Sequence, residues 1–372
     1  FFPPYFKGGN SWEAILVASA ILWIMNWLVL RGIRGVVALN VVATIAKLIP
    51  VIAFLFVVAI SMKAGMWGSD LWGTQVSHPA SHTHLGSVLD QVKSTMLVTL
   101  WVYIGIEGAV VMSETSDERT VGRATILGFA VVTTLYVLSS ILPFGIMTQA
   151  QLSPLDPPAA AAIMDTLMGR WASNFINVGV IISNLACWLV WTILVAELPY
   201  AGAKDGTYPK VFATTNQNGS PSVSLWVSTA AMQAMIILVY FATNAWNVML
   251  SIAGVMILPA YIGSSGYLWR LLASGEYPST ARFSRKSAWT YSILATVYGV
   301  WLVYAAGLSY MLAGAVFFAL GNAIFFWARR EHAAEEKPFL SRELIAAVAL
   351  FVVGVLGAWM LVTGRLPEVY KP

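Results

Sequence analysis

The chain has 372 residues, of which 58% are hydrophobic and only 10% charged, with a mean hydropathy of +0.74 and a net charge of +4. Soluble domains carry about 25% charged residues, so one water-solvated core is excluded and lipid is the expected solvent. In chain order, ten apolar runs approach the roughly 20 residues that an α-helix needs to cross a bilayer. They lie near 14–31, 38–62, 94–113, 124–147, 173–197, 223–243, 247–270, 287–306, 310–328 and 343–363. These runs lack the strict apolar–polar alternation of barrel strands. The expected class is an all-α polytopic membrane protein, with residues 1–372 forming one transmembrane domain.

Loop charge sets the expected orientation. If the first run crosses from outside to inside, fourteen of the 21 basic residues fall on one side, among them Arg31, Arg123, Lys204, Arg270, Arg285, Lys286 and Arg330. Six, Lys7, Lys63, Lys93, Arg170, Arg365 and Lys371, fall on the other. The richer side is the cytoplasmic one. Trp67, Trp72, Trp246 and Trp327 lie near span ends, as interfacial anchors do. The opening "FFPPYFKGGNSW" has no initiator methionine and no signal-like n-region, and reads as an outside loop entering a span. The expectation is a fragment that has lost an odd number of earlier spans.

Ionisable groups at membrane depth cost at least ~2.5–3.5 kcal/mol each, so they are paired or functional. Glu107 sits in "GIEG", between Gly105 and Gly108 at mid-span. Glycines there let the backbone open, and unwound mid-membrane segments hold substrate in transporters with broken helices. A small-residue packing contact with a protonated Glu107 is the plainer alternative. Lys47 lies about ten residues into its run, where snorkelling is strained and release of a proton or replacement of a cation is the functional reading. Glu197, close to Pro199, is explained equally well by a span ending at that proline. Trp101 and Trp191 offer aromatic faces that attract guanidinium or ammonium groups. Cys187, the single cysteine, excludes a disulfide framework and reads as a small packing residue. His78, His82 and His84 fall in a Ser/Thr/Pro-rich stretch and read as a solvated loop rather than a metal site. No HExxH, GxSxG or P-loop pattern is present, so neither an enzyme nor a cofactor is expected.

Two long stretches resemble a known family. "WVYIGIEGAVVMSETSDERTVGRATILGF" is similar to the sixth helix and following loop of amino acid–polyamine–organocation transporters, and "AELPYAGAKDGTYPKVFATTNQNGSPSVSLW" to their eighth helix and the loop after it. Together they look most like the basic amino acid/polyamine antiporters, and among those the arginine/ornithine exchangers. The resemblance implies two inverted repeats of five helices (a LeuT-like fold), here without the first three helices. It implies substrate contacts from Trp101, Ile104, Gly105, Glu107, Gly108 and Trp191, with Trp101 the gating aromatic over a guanidinium. Coupling roles would fall to Glu107 and to Lys47, the latter standing where sodium sits in sodium-coupled relatives. Ala253 occupies a place where a relative offers a hydroxyl, and Ser251 is two residues off, which weakens the arginine assignment. The implied activity is antiport of arginine for ornithine or a related amine in a bacterial inner membrane. A proton- or cation-coupled symporter is the alternative, as are lysine/cadaverine, histidine/histamine and agmatine/putrescine exchange. The expected partners are the small cationic substrate and the lipid bilayer, with homodimerisation left open and no nucleic acid.

Overall fold

A computed structural model describes residues 6, 9–63, 65–66, 87–108, 118–240, 245–279, 281, 283–333, 339, 341–363 and 365. Helix α1 (Trp12–Leu30) begins where the Ser11 side chain accepts the Ala14 N–H at 3.2 Å, and α2 (Ile33–Ile60) follows after a two-residue turn. Helix α3 (Val88–Trp101) opens on a capping box, in which Ser87 and Asp90 satisfy each other's backbone N–H groups. Helix α4 (Glu118–Ile141) runs into a 3₁₀ turn at Leu142–Gly145 that contains Pro143. A short α5 (Ala159–Met168) leads to the 35-residue α6 (Arg170–Lys204). Then come α7 (Ser222–Val239), α8 (Ala245–Ser274), α9 (Arg285–Ala306), α10 (Leu308–His332) and α11 (Ser341–Val362).

Among the described residues there are no strands, and eight helices are long and apolar enough to cross a membrane. Two of the ten expected spans are matched only in part among the described residues. In place of 94–113, α3 starts earlier, at its capping box, and ends at Trp101 after 14 residues. In place of 223–243, the apolar part of α7 covers Ser222–Ile237. A third difference has a clear cause. The expected span 173–197 continues to Lys204, straight through Pro199. Proline removes the hydrogen bond to the carbonyl four residues back, here Val195. The Ser228 hydroxyl of α7 donates to that carbonyl at 3.0 Å, so the helix survives its proline.

Helix α6 is the spine of one group, packing against α1, α2, α5 and α7, while α3, α8, α9, α10 and α11 pack among themselves. Met25 and Val29 of α1 meet Leu189, Ile193 and Ala196 of α6 and Leu225 of α7 in one buried cluster. Phe54 and Val58 of α2, Ile163 and Met164 of α5, and Ile176 of α6 form another. Leu100 of α3 closes a third with Leu258 of α8 and Leu302 of α9. The α1–α7 contact also has polar bonds: Thr229 donates to Asn26, both buried, and the Gln233 amide donates to Ser19. The α6–α7 loop caps α1, with the Asn216 and Asn218 amides donating to the Leu30 carbonyl and the Ser220 hydroxyl to that of Val29. Outward faces are apolar, as in Ile52 and Phe56 of α2 and Ile345 of α11, which suits a lipid solvent.

Close helix contact depends on small residues. A Cβ on Gly179 of α6 would stand 2.3 Å from Cγ of Pro50 on α2, whereas one on Gly128 of α4 would meet nothing within 4 Å. Gly179→Ala is expected to destabilise the protein by about 1–3 kcal/mol through overpacking. Gly128→Ala should be neutral or stabilising by up to about 1 kcal/mol. Thermal unfolding of the two variants in detergent, followed by size-exclusion fluorescence, checks that the changes differ in sign.

Candidate functional site

Helix α3 does not reach the glycine pair. Its last residue is Trp101, and the chain then descends by bonds to the third residue back: Tyr103 N–H to the Leu100 carbonyl at 3.0 Å, Ile104 to Trp101 at 3.1 Å and Ile106 to Tyr103 at 3.3 Å. Gly108 repeats the pattern with the Gly105 carbonyl at 3.0 Å. Tighter turns of this kind have poorer bond geometry than an α-helix and often mark a functional hinge.

Gly105 has φ of +110°, a backbone region that L side chains rarely adopt. Its N–H donates to Oε2 of Glu107 at 2.9 Å, and the Tyr261 hydroxyl of α8 donates to the same oxygen at 2.9 Å. Glu107 therefore fastens its own unwound segment and ties that segment to α8. The Trp191 ring of α6 lies across the opening, 3.3 Å from where a Cβ on Gly105 would stand. Leu194, one turn on, lies 3.2 Å from the equivalent point on Gly108. A second tyrosine supports the segment from α4, the Tyr136 hydroxyl donating to the Val102 carbonyl at 3.1 Å. The Tyr136 ring also meets that of Tyr103 edge-on at 5.7 Å.

The structure thus brings Gly105, Glu107, Gly108 and Trp191 together. Ile104 and Trp101 are half-buried on the same turn and at the end of α3. Lys47 is elsewhere. It is half-buried and lines a cavity of about 430 Å³ between α2, α4, α5 and α6, with Ser139, Ser140, Ser183 and Asn184. Asn184 precedes Trp191 by seven residues of α6, which places this cavity about 10 Å along the helix from the break. Glu197 is half-buried on α6, which continues past it. Cys187, read as a small packing residue, is exposed on α6. On α8 Ala253 is exposed and Ser251 half-buried. His78, His82 and His84 lie outside the described residues.

Tyr261 and Tyr136 were not anticipated from the sequence. The available signal was a hydroxyl at mid-span, which needs a partner in an apolar environment.

An acid, an aromatic face and an unwound glycine segment converge inside a bundle of membrane-crossing helices, and such an arrangement defines a multi-pass membrane transporter. Comparison with known proteins identifies the family. A family model described as amino acid permease matches residues 1–262. A protein of Clostridium perfringens, provisionally named an amino-acid transporter, is 47% identical over 359 residues, covering 96% of this chain and 75% of the relative. The arginine/agmatine antiporters of Chlamydia pneumoniae and Chlamydia felis are both 43% identical, over 367 and 369 residues, each covering 98% of this chain and 75% of the relative. The chain belongs to the amino acid permease family, and it is a transporter rather than an enzyme.

Gly105→Ala tests the break directly. The left-handed backbone costs a non-glycine residue roughly 1–2 kcal/mol, and the new methyl presses on Trp191. Transport per molecule of folded protein should fall by on the order of tenfold, while Gly128→Ala retains the parent rate. Initial rates in proteoliposomes, normalised to protein incorporated, provide the measurement.

Proposed function

We propose that the chain exchanges a cationic amino acid, arginine, for ornithine or for a related amine such as arginine's decarboxylated product, by alternating access. Amino acid antiport is supported by the family and by relatives that are named arginine/agmatine antiporters. The observation that favours a cationic substrate is the Glu107 carboxylate at the unwound segment, opposite the Trp191 ring. A guanidinium stacks on an indole face and pairs with a carboxylate in two-point geometry, which an ammonium does less well.

In this reading the arriving cation competes with the Tyr261 hydroxyl and the Gly105 N–H for Glu107. When it takes the carboxylate, α8 is released from the unwound segment, and the site is free to open towards the other side. Trp101 covers the substrate from the end of α3, while Ile104, Gly105 and Gly108 offer backbone groups to its polar ends. Lys47 serves the cycle from its separate cavity, either by releasing a proton or as a fixed cation in place of sodium. The surrounding architecture is read as two inverted five-helix repeats in a bacterial inner membrane, with the arginine-rich loops cytoplasmic. A homodimer would be its assembly state. A symporter remains the second reading, because Lys47 sits in a cavity of its own.

Counterflow in proteoliposomes discriminates these readings. Labelled arginine should enter vesicles loaded with ornithine or agmatine and not empty ones, with no ion gradient imposed. Arginine for ornithine moves no net charge, whereas arginine for a doubly charged amine moves one per cycle, so only the second should respond to a potassium diffusion potential. Uptake into empty vesicles that requires a proton or sodium gradient would establish symport instead. Glu107→Gln, which removes the negative charge, should lower the exchange rate by on the order of tenfold. An unchanged rate would remove Glu107 from the mechanism.

A further inference from the structure

Helix α6 carries one wall of the site, Trp191 and Leu194, and α8 carries Tyr261, which holds Glu107. Away from the site these two helices are joined a second time, through α10. Helix α10 packs on α8, where a Cβ on Gly314 would stand 3.5 Å from Val255 and 3.7 Å from Met256. Its last turn, which includes Arg329, Arg330 and His332, meets the loop that leaves α6.

That loop begins with a tight reversal. The N–H groups of Thr207 and Tyr208 turn back to the Gly202 carbonyl of α6 at 2.8 and 2.9 Å. Gly206 has φ of +80°, in the left-handed region, and a Cβ there would stand 3.5 Å from Cγ of His332. The reversal presents the Tyr208 carbonyl to His332, whose Nε2 lies 3.1 Å away. A carbonyl only accepts, so the ring nitrogen is the donor. Pro209 leads into a 3₁₀ turn, Lys210–Ala213, and the Lys210 N–H donates to Oε2 of Glu331 at 2.7 Å. The other oxygen of Glu331 accepts the Trp327 indole N–H, one turn back on α10, also at 2.7 Å. Trp327 thereby sets the direction in which the carboxylate points before it meets the loop.

Further along, Asn216, Asn218 and Ser220 of the same loop cap α1 at Leu30 and Val29. One loop therefore connects the ends of α1, α6 and α10. Its bonds to α10 differ in kind from the apolar cluster that joins α1, α6 and α7. A hydrogen bond has modest net worth because another partner replaces the one lost, whereas parting an apolar contact exposes its whole area. Motion between α6 and α10 meets less resistance here than motion within the α6 group.

We propose that Glu331 and His332 form a latch between α10 and the α6–α7 loop, which closes the side of the site read as cytoplasmic and releases in each transport cycle. It rests on the alternating-access reading above. Neither residue touches the substrate, and both act through the helices that carry the site. With the latch made, the Trp191 wall and the Tyr261 tie are held at a fixed spacing. When the cation takes Glu107 from Tyr261, α8 and the α10 packed on it part from α6, leaving the Lys210 N–H and the Tyr208 carbonyl to water.

A reversible cross-link tests the latch. In a Cys187→Ala background, K210C/E331C is joined by a short, thiol-cleavable bis-methanethiosulfonate reagent. Lys210→Cys keeps the backbone N–H and Glu331→Cys removes the carboxylate, so the reduced protein is unlatched and the cross-linked protein is locked. Arginine counterflow in proteoliposomes should fall by on the order of tenfold on cross-linking and return on reduction, which a misfolded protein would not do. A readout that needs no substrate is amide hydrogen exchange at Gly105 in detergent, which reports opening of the Glu107 bond. Cross-linking should slow it by on the order of fivefold relative to the reduced protein. If the parent carries no arginine, the exchange reading fails while the Gly105 amide still decides the latch. Locked protein that exchanges arginine at the reduced rate, or a Gly105 amide indifferent to the cross-link, would overturn the proposal.

Discussion

A broken helix inside a membrane must satisfy its freed backbone groups without water, and the Glu107 carboxylate meets that requirement here. One oxygen accepts the Gly105 N–H and the Tyr261 hydroxyl together. In an apolar environment an unpaired amide or hydroxyl costs several kcal/mol, so all three groups depend on one another. The neighbouring Val102 carbonyl is met by Tyr136. The segment is therefore held from α8 and from α4 at once, although its own backbone bonds are the weaker three-residue kind. Such a segment is held by its neighbours more than by its own helical bonds.

The same logic extends to the helices that frame it. Membrane helices lack a hydrophobic drive to associate, so close packing at small residues and inter-helix hydrogen bonds hold them together. Gly179 admits Pro50, Gly299 admits Ile262, and Gly357 of α11 brings the α10 backbone so near that a Cβ would stand 2.3 Å from the Leu312 carbonyl. Ser228 satisfies the carbonyl that Pro199 releases, and α6 continues as one helix from Trp191 and Leu194 through to Lys204. Those two residues form the wall opposite the break. Packing on α6 thus sets the shape of the site on α3.

The membrane class was legible because composition and run length are strong signals that need no tertiary information. Glu107 and its glycines were legible because a carboxylate and two helix-weakening residues at mid-span conflict with everything around them. The end of α3 at Trp101 was not. The runs of apolar residues continue through 101–106, and only the hydrogen-bond pattern shows where the α-helix stops. Pro199 misled in the opposite direction, since proline is a local stop signal whose cost is offset by a serine 29 residues away in sequence.

Tyr261 illustrates the remaining gap. It is one of 14 tyrosines, and nothing in its own neighbourhood sets it apart from Tyr267 or Tyr291. Its importance comes from a partner 154 residues away and from the height at which α8 crosses α3. That height is fixed by Leu100, Leu258 and Leu302, three leucines indistinguishable in sequence from lipid-facing ones. Leu258 precedes Tyr261 by three residues, so packing that seats the leucine also directs the tyrosine towards the break. The apolar contact sets the register, and the polar bond to the unwound segment follows from it.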